Sequence, residues 1–414
     1  MARRSFRIAV LPIFLLLLAG HLPAQVLPGI DVLVRDGFAQ LRGKRVGLVI
    51  NQTSVRRDIR QSTLDAFLAT DRCRLTALFA PEHGIDAATA AGESVGDQTE
   101  PRSGLPIFSL YGATRKPTPA MLKNVDVMVY DIQDIGVRSY TFISTMIKVM
   151  EGCADAGIPV VILDRPNPIG GDVIDGPVLD SAFRSFVGIV PVPYVYGLTA
   201  GELATMANGE RWLEGRGRCN LTVIRMEGWR RSMRWRETGL IWIPTSPHVP
   251  TPEAAFANAA TGPIGEISVA SIGIGYTLPF ELVGAPWIDA DTFALRLNGM
   301  GVHGIYFRKT AYKPFYGMST GTLCRGVHLM RTGDMAEPFT ATIALLTTLR
   351  DLYNARHPFD AVTEDRWKMF DKVCGTDQIR RKILAGASFG SIVESWRGKV
   401  REYIAAREGY LLYE

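Results

Sequence analysis

Between Lys44 and Asp164 the sequence places five short runs that are apolar along almost their whole length, and these decide the fold class. They are Arg45–Ile50, Leu75–Phe79, Ile107–Leu110, Val125–Tyr130 and Val160–Leu163. A strand with one wet face alternates polar and apolar residues, so continuous runs of this kind are read as strands covered on both sides. Helical patterns stand between them, notably Ser62–Leu68 with Ser62 as its cap, and Tyr140–Ala156. Strands separated by helices pair in parallel, which predicts a doubly wound, Rossmann-like α/β sheet. After the Pro-rich segment 244–252 the pattern changes. Strands are expected at Val302–Lys309 and Thr322–Met330, with helices at Phe339–Tyr353, Asp377–Leu384 and Ile392–Arg407. The chain is therefore divided into a Rossmann-like domain over 25–250 and a smaller α+β domain over 251–414.

Residues 1–24 carry Arg3, Arg4 and Arg7, then an apolar stretch from Ile8 to Gly20, then Leu22-Pro23-Ala24. This is the order of a secretory signal peptide, and the apolar run is too short to span a bilayer. The protein is expected to be exported to the periplasm or outside the cell. The paired arginines resemble a twin-arginine signal, while the strongly apolar Leu11–Leu18 favours the general secretory route. Loss of this segment lowers the formal charge of +5 by three, since it holds no Asp or Glu. No long basic run occurs elsewhere, so a nucleic-acid partner is excluded, and no later segment is apolar enough for stable membrane insertion. The five cysteines are widely spaced without a C-x-x-C pair. They are read as buried small side chains rather than as a zinc or dithiol motif.

Ligands of an open parallel sheet bind at the carboxyl ends of its strands, and here those ends are crowded with polar groups. The second strand exits through Pro81-Glu82-His83-Gly84, the fourth through Asp131-Ile132-Gln133-Asp134 to Arg138-Ser139-Tyr140, and the fifth through Asp164-Arg165-Pro166-Asn167. Carboxyl groups in pairs, with amides and an arginine, are what a sugar pocket uses: the amides and arginine orient hydroxyls, and the carboxyls supply acid and nucleophile or base. A purely structural use is also open for each exit, Asp134 pairing with Arg138, for instance. The first strand runs into Asn51-Gln52-Thr53-Ser54 without the glycines of a pyrophosphate turn, so no nucleotide cofactor is expected. No metal-ligand spacing accompanies His83, and no G-x-S-x-G elbow supports a serine hydrolase or esterase.

These residues, in this order, resemble the bacterial exo-β-N-acetylmuramidase family of NamZ type, long known only as a domain of unknown function. The likeness runs through Phe79–Gly84, Ser109–Gly112, Tyr130–Arg138 and Asp164–Pro168 with Gly170-Gly171. It continues through Gly201–Ala204, Pro250–Ala254, Pro279–Glu281, Gly284–Trp287, Cys324–Val327 and Phe370–Lys372. The resemblance implies release of terminal N-acetylmuramic acid from peptidoglycan-derived muropeptides or disaccharides. It also implies a cleft between two domains with catalytic glutamates in it. Glu82 is the expected acid, with Asp131, Asp134 and Glu281 as candidates for the second carboxylate. His83, Gln133, Arg138, Tyr140, Asp164, Arg165, Asn167, His248 and Glu253 are the expected sugar-binding residues. Two departures stand out. Val269, Ile272 and Ile274 occupy positions where the family carries Asn, Glu and Arg, and Ser246-Pro247-His248 replaces Ser-Pro-Asn. They leave open a shifted sugar specificity or a glycan-binding protein on the same scaffold. Oligomeric state is not legible.

Overall fold

The computed structural model describes residues 25–87 and 96–414; the expected signal peptide lies outside the described residues. The first sheet contains β1 (Arg45–Ile50), β2 (Arg74–Ala80), β3 (Gln98–Thr99), β4 (Pro106–Ser109), β5 (Val127–Asp131), β6 (Val160–Leu163) and β7 (Leu221–Ile224). Their order is β3-β4-β2-β1-β5-β6-β7, parallel throughout except at the two-residue edge strand β3. The chain winds outward from β1 to β2 and β4, then returns to pair β5 with the other side of β1.

Alternate residues of each strand feed opposite layers. Val49, Met128 and Ile162 pack with the helices Phe142–Ala156 and Ala200–Gly209, whereas Leu48, Val129 and Val161 pack with Gly29–Arg35 and Thr63–Ala69. Both faces are apolar because both are covered, which is why the sequence shows no alternation. Ser62 caps its helix as read: its hydroxyl accepts from the Asp65 N–H, and Asp65 reaches back to the Ser62 N–H, a capping box worth about 1 kcal/mol.

The second sheet is antiparallel, in the order β8-β10-β9, with β8 at Leu282–Ala285, β9 at Ile305–Tyr312 and β10 at Cys324–Arg331. Helices Pro338–Leu352, Gln378–Leu384 and Phe389–Arg407 match the sequence reading closely. Among the elements that escaped it are β8 and the helices Pro252–Ile267, Ala290–Asn298 and Glu364–Cys374 here, and β7 and the helix Ala200–Gly209 in the first half. Pro252–Ile267 begins with Thr251 as N-cap and Pro252 in its first turn, so the Pro-rich segment ends by starting a helix. Its buried face is mostly alanine (Ala254, Ala255, Ala257, Ala259, Ala260), small enough to lie close against Pro338–Leu352.

The two halves are not separated by a dry gap. Ile135, Val137, Ile169, Val173, Tyr194 and Val195 of the first half belong to the same apolar cluster as Phe256, Phe339 and Trp396 of the second. The last residues return to the first sheet: the Tyr413 hydroxyl donates to Asp164 Oδ2 at 2.6 Å, and the Leu412 N–H donates to Glu202 Oε1 at 2.9 Å. All five cysteines are buried and free. Among the described residues no helix is long and apolar enough to cross a membrane.

Candidate active site

The order of strands reverses between β1 and β5, where an open α/β sheet makes its ligand crevice. In this protein the chain's own side chains fill that crevice. Asp131, at the end of β5, is fully buried and is gripped by Arg165 through Nε (2.5 Å) and Nη2 (2.9 Å). Thr63 donates to the same carboxylate at 2.5 Å, and Ser54 donates to the Asp131 backbone carbonyl. The Gln133 N–H donates to Thr53 at 3.0 Å, and the Gln133 amide donates to the carbonyls of Asp134 and Pro166. What is left between Thr53, Gln133, Arg165 and the Trp235–Ile243 segment is a cavity of about 20 Å³, less than one water's share of liquid.

Several residues expected to meet sugar are thereby used to hold loops. Asp131 and Arg165 form a buried, bidentate ion pair. Asp164 is buried and accepts from Thr199, the Gly201 N–H, the Arg165 N–H and Tyr413; burial raises its pKa to about 6 against the pull of those donors. Asn167 bonds the Leu198 carbonyl and the Ile169 N–H, and its amide packs where a Cβ on Gly136 would fall, so the left-handed Gly136 (φ 80°) is required there. Arg138 does not pair with Asp134. It is wholly buried, donating to the carbonyls of Pro177, Val192 and Val373, and its last contact ties the first half to the second. Desolvation lowers its pKa to about 10. These five residues are therefore scaffolding in this structure, because most of their polar atoms are spent on protein partners, Arg138 Nε being the exception.

At the β2 exit the surroundings differ. Glu82 follows β2 directly, and the turn that carries it puts His83 and Gly84 both at positive φ (72° and 79°), a conformation uncommon for histidine. Thr141, at the start of the Phe142–Ala156 helix, donates to Glu82 Oε2 at 2.5 Å. The Tyr111 hydroxyl also hydrogen-bonds Glu82; burial and the adjacent carboxylate push its pKa up to about 12. Tyr111 stands 6.0 Å from the Phe186 ring, giving the site an aromatic wall. Tyr140 lies in the field of both Glu82 and Asp134, and its hydroxyl donates to Thr245 at 2.8 Å. His248 is half-buried, its pKa lowered by burial and by nearby His83, and its Nε2 meets the Tyr316 hydroxyl at 3.2 Å. Tyr316 belongs to the connection between β9 and β10, so the second half contributes to this site.

Asp134 completes the group. Its Oδ2 accepts from the Gly136 N–H (2.6 Å) and from Tyr196, while its Oδ1 is buried with no hydrogen-bond partner among the described residues. Burial raises its pKa to about 6, with those donors opposing. Of the sequence-chosen residues, the structure thus brings together Glu82, His83, Tyr140, Asp134 and His248. Sequence reasoning missed Thr141, Thr245 and Tyr316 as members of the site. Tyr111 had been quoted only as part of a motif.

Glu281 and Glu253 stand elsewhere. They line a pocket of about 550 Å³ with Pro168, Phe256, His328 and Arg331, and this pocket includes none of the groups around Glu82. There Glu281 meets His328 Nε2 at 3.2 Å and Glu253 meets Arg236 at 2.7 Å. Val269 and Ile272 are buried in the core of the second half, and Ile274 packs against it. Among the described residues no cluster of three or more His, Cys, Asp or Glu is arranged to hold a metal ion.

Two family models match the chain: exo-beta-N-acetylmuramidase NamZ, N-terminal, over residues 46–253, and exo-beta-N-acetylmuramidase NamZ, C-terminal, over 259–413. The peptidoglycan beta-N-acetylmuramidase NamZ of Bacillus subtilis (strain 168) is 40% identical over 390 residues, which span 94% of this chain and 92% of that protein. The fold is shared with crystal structures of two DUF1343 family proteins from Bacteroides fragilis NCTC 9343. One is 40% identical with a TM-score of 0.89, covering 94% of this chain and 100% of that one. The other is 30% identical with a TM-score of 0.72, covering 94% and 99%.

Proposed function

The chain belongs to the NamZ exo-β-N-acetylmuramidase family of glycoside hydrolases, and from that premise we propose that Glu82 is the acid with which it releases terminal N-acetylmuramic acid from peptidoglycan fragments. The observation that carries this reading is the setting of Glu82. It leaves a strand into a buried turn and accepts from the hydroxyls of Thr141 and Tyr111, and Tyr140 feels both its charge and that of a second carboxyl, Asp134. In the reaction, the Glu82 proton passes to the glycosidic oxygen as its bond to the anomeric carbon breaks. The oxocarbenium-like sugar is stabilised by the second carboxylate, and water completes hydrolysis. Asp134 is the candidate for that second role, since Asp131 is tied to Arg165 and Glu281 lines a different pocket. His83, His248 and Tyr316 are placed to orient sugar hydroxyls.

A chromogenic muramic-acid glycoside tests the activity directly, and release of its nitrophenol by the purified protein is the expected result. A shifted sugar preference is a second reading. It is favoured by Ile274, which is only partly buried and precedes Gly275, whose carbonyl accepts from the Phe315 N–H at 2.7 Å beside Tyr316. Comparing the muramic-acid and glucosamine glycosides separates the two. We also propose that the protein is exported and that its mature form begins near Gln25 or Val26; mass spectrometry of the periplasmic or secreted protein should show that terminus, and an intact Met1 form confined to the cytoplasm would refute it.

A further inference from the structure

The pocket beside Glu281 contains one guanidinium that, among the described residues, is in direct contact with no carboxylate. Its other ionic groups are matched: Arg234 holds Asp172 through both terminal nitrogens (2.7 and 3.1 Å), Arg236 holds Glu253, and His328 meets Glu281. Arg331, the last residue of β10, is different. Its guanidinium lies 4.8 Å over the Phe256 ring and donates only to backbone carbonyls, those of Gly333 (3.2 Å), Asp334 (2.8 Å) and Ile169 (3.2 Å). Among the described residues it makes no ion pair, and its Nη1 makes no hydrogen bond. Asp334 sits exposed on the rim and offers Arg331 its carbonyl rather than its carboxylate. Burial and the neighbouring Arg234 lower the Arg331 pKa to about 10, which still leaves it charged at neutral pH. Asp334, Asp172 and Glu237 act on it only through space, without direct contact, so an anion in direct contact would stabilise this half-buried guanidinium further.

The pocket has the size of a small-molecule site, with an apolar floor from Pro168, Phe256 and Leu329. We propose that it binds, through Arg331, a free carboxylate carried on the side arm of the amino sugar. The guanidinium fork suits a carboxylate, and the apolar floor suits the aliphatic groups beside it. The proposal rests on the reading that the substrate is a muramic-acid-bearing wall fragment. Such a fragment has two sources of this chemistry: the lactyl acid of the sugar itself, or the terminal carboxylates of a peptide attached to it.

The test uses three nitrophenyl glycosides of N-acetylmuramic acid: one with the lactyl acid free, one carrying L-Ala-D-Glu, and one carrying the diamide of that dipeptide. Binding of the matching free sugars is followed by calorimetry. With the wild-type protein, KM and Kd should be about tenfold lower for whichever carboxylate reaches Arg331 than for the diamide, with kcat little changed. Arg331→Gln should abolish that difference between acid and diamide, and Arg331→Lys should restore part of it. Equal constants for acid and diamide in the wild-type protein overturn the proposal, whatever Arg331→Gln does to folding. So does a wild-type preference that survives Arg331→Gln in folded protein. If no glycoside is cleaved, the proposed activity fails, and the calorimetric comparison still decides whether the pocket reads a carboxylate.

Discussion

Asp131 and Glu82 leave the same edge of the same sheet, two strands apart, and their neighbours treat them in opposite ways. Asp131 is met by a guanidinium in bidentate contact and by a threonine, so its charge is fixed and its lone pairs are used. Glu82 accepts from the hydroxyls of Thr141 and Tyr111, which can turn. A carboxylate gripped by a bidentate guanidinium has both oxygens committed to structure, whereas single hydroxyl donors fix a carboxyl less rigidly. The kind of partner, more than burial or position on the rim, separates scaffold from chemistry at this sheet edge.

The sharpest way to break this contrast is Glu82→Gln, which keeps shape and removes the transferable proton. Turnover on natural leaving groups should fall about 10²–10⁴-fold, and less with a nitrophenyl leaving group, while the melting temperature hardly moves. Equal losses on both substrates would take the acid role from Glu82. The converse variant is Asp131→Asn, which strands Arg165 as a buried charge. Denaturant unfolding should show a loss of about 3–5 kcal/mol, with the activity per folded molecule little altered. A normal midpoint with lost activity would reverse the assignment of the two residues.

Asp134 sharpens the comparison through pH. Its folded-state pKa of about 6 lies above the ordinary aspartate value, so the folded protein binds this proton more tightly than the unfolded chain. The resulting stabilisation is complete below about pH 4 and is lost as pH rises through about 6. Asp134→Asn should remove a contribution on the order of 3 kcal/mol to that slope, read as the difference between wild-type and variant unfolding curves from pH 4 to 7. Identical slopes would mean that Asp134 is not the buried acid described. The smallest effect is expected from Thr141→Val, which deletes one hydroxyl donor to Glu82. A fall in kcat of less than about tenfold with unchanged melting is the expected outcome. No change at all would show that this donor plays no part in placing the acid.

The five inner strands were legible because burial on two faces writes itself as an uninterrupted apolar run. β8, only Leu282–Ala285, is too short and too glycine-interrupted to show such a run. The helix Pro252–Ile267 is apolar on most of its surface and carries Pro263 inside, so it lacks the contrast of faces that marks an amphipathic helix. At the site, the convergence of three strand ends could be read, but the fate of their charges could not. Arg165 finds Asp131 across 34 residues and Arg138 finds the Val373 carbonyl across 235, partners set by the tertiary fold alone. The pairing that proximity in sequence suggested, Asp134 with Arg138, is the one the fold does not make.

The closure of Asp164 by the Tyr413 hydroxyl has a consequence for the order in which the molecule can be made. The two residues are separated by 249 positions, so on the ribosome the first sheet is complete long before the donor that completes its β6 exit exists. Domains tend to settle from the amino end during synthesis, and until Tyr413 is available the rim carboxyl of Asp164 lacks one of its donors. A chain lacking Tyr413 would leave Asp164 with only the Thr199 hydroxyl and the Gly201 and Arg165 N–H groups as donors, so the integrity of the first sheet's rim is tied to that of the carboxyl-terminal segment.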